Sequence, residues 1–198
     1  GPGGTGKSFL IKKMVEYSKK YKKMCQVCAL TGCAAVLLEC KAKTIHSWSG
    51  VGIMNGLDED VIRRVQKKKN NKDYWKGTDI LIIDEVSMMS KRMFELLDTL
   101  GQRIRKTKDP FGGIQVIFVG DFFQLPPIEK DGFCFESERW FDIFPKKQHL
   151  ELKTFFRQKD PLYIDILMKV RKGILDKESI QLLEKYVARD RDTPITKV

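Results

Sequence analysis

Eight residues at the start of the chain, Gly1, Pro2, Gly3, Gly4, Thr5, Gly6, Lys7 and Ser8, constrain its fold more than any other feature. They match the pattern G-x-x-x-x-G-K-[ST] at every position. Glycines admit backbone conformations closed to other residues, so successive N–H groups curl round a chain of phosphates. The loop must then deliver those phosphates to the positive end of a helix. Lys7 places a point charge on the β- and γ-phosphates, and the Ser8 hydroxyl is a ligand for Mg²⁺. The required helix is predicted over Phe9 to Tyr21, where Leu10, Ile11, Met14, Val15 and Tyr21 oppose Lys12, Lys13, Glu16, Lys19 and Lys20. The pattern also demands a strand before Gly1. No such strand and no Met precede the loop, so a segment cut from a longer protein is expected.

Strands and helices alternate along the rest of the chain. Strands are predicted at Gln26–Leu30, Ile80–Ile83, Val116–Val119 and Gln148–Leu152. The two central runs are continuously apolar and β-branched, as in parallel strands buried on both faces. Helices are predicted at Ala34–Glu39, at Leu57–Gln66 and over the spacing of Met93, Leu96, Leu97, Leu100 and Ile104. Asp160-Pro161 opens another, which Gly173 closes, and Asp176 caps a last one through Val187. Thr44–Gly56 and Lys67–Lys72 are expected to be loops. This is the pattern of an α/β domain with a mainly parallel sheet.

Two of the strands end in chemistry. Ile80–Ile83 runs into Asp84 and Glu85, at the sheet edge where ligands collect in open α/β folds. Asp84 would hold the Mg²⁺, directly or through water, and Glu85 would polarise an attacking water. A carboxylate base beside a metal ligand favours hydrolysis over transfer to a second substrate. Val116–Val119 runs into Gly-Asp-Phe-Phe-Gln-Leu-Pro-Pro at 120–127. There Gln124 could sense a γ-phosphate, with Asp121 in a supporting role.

Taken in order, the segments GPGGTGKS at 1–8, LTGCAAVLL at 30–38, TIHSWSGVGI at 44–53, IIDEVSMMS at 82–90, PFGGIQVIFVGDFFQLPPI at 110–128 and FFRQKD at 155–160 resemble the PIF helicases. These are the petite-integration-frequency branch of superfamily-one DNA helicases, relatives of the RecD-type enzymes. The interval Glu85–Lys106 resembles that branch's signature helix and argues against the other RecD-like helicases. The resemblance implies a RecA-like P-loop NTPase fold, truncated at both ends. Residues 1–152 would form the first motor domain and 153–198 the hinge and opening helices of the second. It implies ATP and Mg²⁺ as cofactors, 5′-to-3′ movement on single-stranded DNA, and unwinding of forked or structured DNA in replication, repair, recombination or telomere maintenance. Lys7, Ser8, Asp84, Glu85 and Gln124 map onto the nucleotide site. Arg157 maps onto an arginine that reaches the γ-phosphate when the domains close. Thr31, Gly32 and Ala34 resemble a first DNA-contacting motif, and Thr44, His46, Ser47 and Trp48 a second. Trp48 either stacks on a base or packs beneath its loop. A monomer is expected, intracellular, in the nucleus or mitochondrion of a eukaryote or the cytoplasm of a bacterium or virus-infected cell.

Composition agrees without deciding. The 198 residues carry a net charge of +11 and are 42% hydrophobic, enough to bury a core and suited to a polyanionic partner. No apolar run approaches the length of a membrane span. Cys25, Cys28, Cys33 and Cys40 cluster, but Cys25 and Cys28 lie three apart on a strand and should point to opposite faces, so buried thiols are expected rather than zinc ligands. Met88, Met89 and Met93 read as core, His149 as structural, and the Lys67–Lys69 run as a solvated loop rather than a DNA clamp. The competing function is a P-loop kinase or nucleotide switch uncoupled from DNA. The Asp84-Glu85 pair and the absence of an evident acceptor pocket or lid weigh against the kinase.

Overall fold

Strong β-branched runs and two amphipathic helices organise the molecule, seen here in a computed structural model that describes residues 1–187. The order is α1 (Lys7–Lys20), β1 (Cys25–Ala29), α2 (Gly32–Leu37), β2 (Lys43–Thr44), α3 (Ile45–Ser49), α4 (Asp58–Lys67), α5 (Lys69–Gly77), β3 (Ile80–Asp84), α6 (Lys91–Arg105), β4 (Gln115–Phe118), α7 (Trp140–Ile143), α8 (Pro161–Lys172) and α9 (Lys177–Val187). All four strands are parallel, in the spatial order β2-β1-β3-β4. The chain divides into two compact units, Gly1–Phe156 and Arg157–Val198. The end of the second predicted segment, 188–198, lies outside the described residues.

The sheet is buried on both faces, because alternate side chains of each strand point in opposite directions. Val27, Ala29 and Ile82 pack with Ile11, Ala35 and Leu38 on one face. Cys28, Leu81 and Ile83 join the larger core on the other, built around Trp48, Trp75, Phe94, Phe111 and the inner side of α6. Cys25 packs on the first face and Cys28 on the second, as their spacing predicts. Burial pushes the Cys28 thiol well up and that of Cys134 to about 12, so neither is a ready thiolate. Helix α6 earns its length from this packing. Ser90 caps it by accepting from Met93 N–H at 3.1 Å, and Met93, Phe94, Leu96, Leu97, Leu100 and Ile104 are all buried. Met89 and Met93 are core residues and Met88 packs against them.

Three predicted elements differ. Residues 44–56 are not all loop: α3 forms at Ile45–Ser49 because Thr44 caps it and Ile45 and Trp48 both find the core. The Lys-rich run at 67–72 is not a loop: Lys67 ends α4, Lys68 joins the two helices, and 69–72 open α5. Trp75 drives this, since its fully buried ring packs on Trp48 and its Nε1–H donates to Ser49 O at 3.1 Å. Gln148–Leu152 is no strand; a short 3₁₀ turn at Lys146–Gln148 leads into irregular chain. His149 is structural, with Nε2 3.0 Å from Phe144 O and its ring beside Trp140 and Phe141.

The second unit is a helical pair. Asp160 caps α8 through the N–H groups of Leu162 and Tyr163. Gly173 ends it in the left-handed conformation. Asp176 then accepts from Ser179 N–H, and Lys169 bridges Asp165 and Asp176.

Candidate nucleotide and nucleic-acid site

The C-terminal edge of the sheet gathers three loops. The loop before α1 carries Gly4 and Gly6 at positive φ, 78° and 90°. Thr5, almost wholly buried, donates its hydroxyl to Pro2 O at 2.8 Å and pins the loop from within. Gly1 N donates to Gly120 O at 2.9 Å and ties the loop to the residues that follow β4. Phe156 N–H donates to Gly4 O at 2.9 Å. Helix α1 begins at Gly6 with no side-chain cap and no acidic residue in its first turn. By contrast, α2, α3, α6 and α8 are capped by Thr31, Thr44, Ser90 and Asp160. An uncapped N-terminus inside a rigid glycine loop is shaped for an anion. Lys7 Nζ lies 2.8 Å from the carbonyl oxygens of both Gly1 and Pro2, and its side chain is half-buried. Ser8 is exposed beside it.

Beneath the loop, β3 delivers Asp84 and Glu85. Asp84 is buried, and burial raises its carboxyl above the ordinary range. The Glu85 N–H, donated to Asp84 Oδ1 at 2.9 Å, and the Lys7 charge act against that rise. Glu85 is raised too, first by burial, then by the neighbouring charge of Asp84, with a smaller push from Asp121; Lys7 opposes. Its backbone is left-handed, φ 57° and ψ 39°, which is strained for a residue with a side chain. Such strain costs on the order of 1–3 kcal/mol and persists only where its surroundings enforce it. Here Val86 N–H is held by Val119 O at 3.1 Å, locking the turn against β4. Gly120 must be glycine, because a Cβ there would meet Val86 N at 2.9 Å. Buried Asp121 starts a turn, its carboxylate accepting from Phe123 N–H and its carbonyl from Gln124 N–H. Gln124 stands exposed on that turn.

Lys7 and Ser8 at the start of α1, Asp84 at the end of β3, and Glu85, Asp121 and Gln124 on the following loops thus share one sheet edge, with Lys7 close enough to both carboxylates to act on their charge. Ser8 and Asp84 are the side chains at this edge that could hold a divalent ion. That suits Mg²⁺, which takes one or two carboxylates and completes its shell with phosphate oxygens and water. Arg157 is the first residue of the second unit. The strained backbone of Glu85 and the buried state of Asp121 were not foreseen from sequence. The Asp two residues before Phe123 is a turn-forming signal that could have marked the second.

The candidate DNA-contacting segments flank β1 and β2. Thr31 is partly exposed, and its hydroxyl accepts from Ala34 N–H at 3.2 Å; Gly32 is exposed and Ala34 half-buried. Thr44 accepts from Ser47 N–H at 3.2 Å, Ser47 is exposed, and His46 is half-buried. Burial lowers the His46 imidazole below its ordinary value, against a smaller opposite effect from Glu129. Trp48 is a correction. Its side chain is 0% exposed and its ring lies 4.7 Å from that of Trp75, so no face is open to a base. In a five-residue helix capped at Thr44, positions 45 and 48 point inward together.

Comparison with known proteins gives a consistent picture. Residues 1–179 match the family model described as PIF1-like helicase. The ATP-dependent DNA helicase RRM3 of Saccharomyces cerevisiae is 41% identical over 183 residues, covering 88% of this chain and 25% of that protein. The crystal structure of Pif1 helicase from Candida albicans superimposes with a TM-score of 0.85 at 34% identity, over 98% of this chain and 44% of that one. A Bacteroides Pif1 helicase in complex with ADP-AlF3 and single-stranded DNA superimposes with a TM-score of 0.72 at 27% identity, over 98% of this chain and 46% of that one. The chain therefore spans about a quarter of the RRM3 sequence and under half of either solved structure.

Proposed function

The chain belongs to the PIF1-like helicase family, and on that premise we propose that it forms the ATP-hydrolysing part of a motor that moves 5′-to-3′ on single-stranded DNA and opens forked or structured duplexes. The observation that carries the reading is the meeting, at one sheet edge, of an uncapped helix N-terminus, Lys7, and the strained Asp84-Glu85 turn.

In this reading the loop N–H groups and the N-terminus of α1 receive the phosphates. Lys7 leaves the carbonyl oxygens of Gly1 and Pro2 for the β- and γ-phosphates. Ser8 and Asp84 would hold Mg²⁺, which neutralises phosphate charge when bound. Glu85 accepts a proton from the attacking water; its raised carboxyl is the stronger base for that task. Gln124, on the turn built by Asp121, contacts the γ-phosphate, and Arg157 adds a guanidinium to the transition state. Thr31, Gly32, Ala34, Thr44, His46 and Ser47 hold the DNA backbone without reading bases. Residues 153–198 open a second motor domain. A monomer suffices for this scheme, in whichever cell compartment holds the DNA. Because they span under half of either solved helicase, these 198 residues alone are expected to unwind little or no duplex.

The test is ATP turnover by the longer protein carrying this segment, with and without oligo-dT, repeated for Lys7→Ala and Glu85→Gln. DNA-stimulated turnover that disappears in both variants is expected. DNA-independent phosphate transfer to a small acceptor would instead establish a kinase. Nucleotide binding without DNA-stimulated turnover would indicate a switch.

A further inference from the structure

Arg92, on the first turn of α6, joins three separate parts of the chain. Its Nε donates to Asp58 Oδ1 at 2.8 Å, at the start of α4. Its Nη2 donates to the carbonyl oxygens of Met54 and Gly56, at 3.2 and 2.6 Å. Its own N–H donates to Asp131 Oδ2 at 2.6 Å. The turn it grips, 51–57, is conformationally awkward, with Gly52, Met54 and Gly56 all at positive φ; Met54 N–H and Arg64 Nη2 both donate to Val51 O, at 3.4 and 3.3 Å. It follows directly from α3, and Gly52 N–H donates back to His46 O at 3.3 Å. The segment gripped on the other side, 129–132, descends from the turn that carries Gln124. Lys91 N–H donates to Gly132 O at 3.0 Å, Ser90 Oγ donates to the Glu129 carboxylate, and Ser90 bridges to Phe133. The N-terminus of α6 is thus where the strand carrying Asp84-Glu85, the loop after Gln124 and the turn after the His46 helix converge.

We propose that Arg92 is a positioning residue that clamps the 51–57 turn, and through it the polar edge of α3, to the loop descending from Gln124, so that the DNA-contacting edge is held in register with the nucleotide edge. The clamp needs the guanidinium fork. One arm satisfies two carbonyls while Nε satisfies a carboxylate on another element, an arrangement the single ammonium of lysine cannot reproduce. This inference rests on the DNA-binding reading of Thr44, His46 and Ser47.

The experiment uses the longer protein carrying this segment. Fluorescein-labelled oligo-dT is titrated by anisotropy against the unchanged protein, Arg92→Ala, Arg92→Lys and the surface control Arg63→Ala; a fluorescent ADP is titrated in parallel. Amide hydrogen exchange is followed over residues 50–57. Arg92→Ala, which removes all three guanidinium hydrogen bonds to the 51–57 turn and Asp58, is expected to weaken oligo-dT binding about tenfold. Nucleotide affinity should hold within about twofold, and exchange at 50–57 should accelerate. Arg92→Lys should not rescue, and Arg63→Ala should bind as the unchanged protein does. Full rescue by lysine, unchanged oligo-dT affinity in Arg92→Ala, or an equal loss of nucleotide affinity would each overturn the clamp. Failure of the unchanged protein to bind oligo-dT would overturn the DNA-binding reading, and the clamp with it.

Discussion

Two helix N-termini at the C-terminal edge of the sheet, α1 and α3, are built in opposite ways. At α1, Gly6 provides no side-chain cap, and the helix N-terminus is framed by a loop pinned through Thr5. At α3, the Thr44 hydroxyl already accepts from Ser47 N–H, and the helix is anchored by a buried Trp48. The first arrangement leaves its electrostatic demand to be met by a ligand. The second meets it internally and offers only side-chain edges and a helix surface. A compact chain of phosphates needs convergent backbone donors, whereas a long DNA backbone can be held by scattered polar contacts that carry no sequence information. The contrast predicts that the nucleotide edge is sensitive to single substitutions and that the DNA edge is graded.

The largest effect should come from Glu85→Gln. Removing the base should lower DNA-stimulated turnover by about 10²–10⁴ while nucleotide still binds, measured by steady-state ATPase and fluorescent-ADP titration. Equal loss of binding would show that the strained turn, and not the carboxylate, was destroyed. Next is Trp48→Ala, which should cost about 3–5 kcal/mol of stability by opening a cavity against Trp75, read by denaturant unfolding. Trp48→Phe should keep most of the DNA affinity. A large loss of DNA binding with unchanged stability would restore the stacking role that burial argues against. Lys7→Ala should weaken nucleotide binding at least about tenfold, as expected for loss of a charge-assisted contact, and leave oligo-dT binding without nucleotide nearly intact.

The smallest effect is a pH signature. Burial holds the Asp84 and Glu85 carboxyls above their ordinary values, so the folded chain takes up protons more readily than the unfolded one. The stability gained from those protons is complete below the ordinary carboxylate value of about 4 and is lost as pH rises through the raised values. At pH 7 without nucleotide, Glu85→Gln removes a half-buried charge beside the buried Asp84 and should raise Tm slightly, the effect being reduced by solvent screening of Glu85. The gain should shrink toward pH 4. A variant less stable than the parent at pH 7 would show that the Glu85 charge is satisfied by partners such as Lys7.

The same contrast explains what could be read from sequence. The nucleotide edge was legible because its chemistry follows from fixed local spacing: Gly-rich loop, Lys7, Ser8, helix; apolar strand, Asp84, Glu85. The fold class was legible for a similar reason, since β-branched apolar runs such as Ile80–Ile83, alternating with helical patterns, read as doubly buried parallel strands. What failed was decided by tertiary contacts. The lysines before α5 look solvated, and they are, but Trp75 eight residues beyond Lys67 recruits the segment into a helix. Trp48 carries no local mark distinguishing a stacking platform from a core ring. Arg92 is one cation among 37 Lys and Arg, and only the folded chain brings Met54, Gly56, Asp58 and Asp131 to it. Gln148–Leu152 has the composition of a strand but pairs with no other strand among the described residues.

The most direct measurement is a paired titration of the longer protein carrying this segment with fluorescent ADP and labelled oligo-dT, comparing Lys7→Ala with the double substitution His46→Ala/Ser47→Ala. Separate edges predict a crossed result: Lys7→Ala loses nucleotide and keeps DNA, while His46→Ala/Ser47→Ala keeps nucleotide and loses several-fold in DNA affinity. If the double substitution leaves oligo-dT binding unchanged while Lys7→Ala abolishes it, the helix at Ile45–Ser49 does not face DNA, and the division of labour described here is wrong.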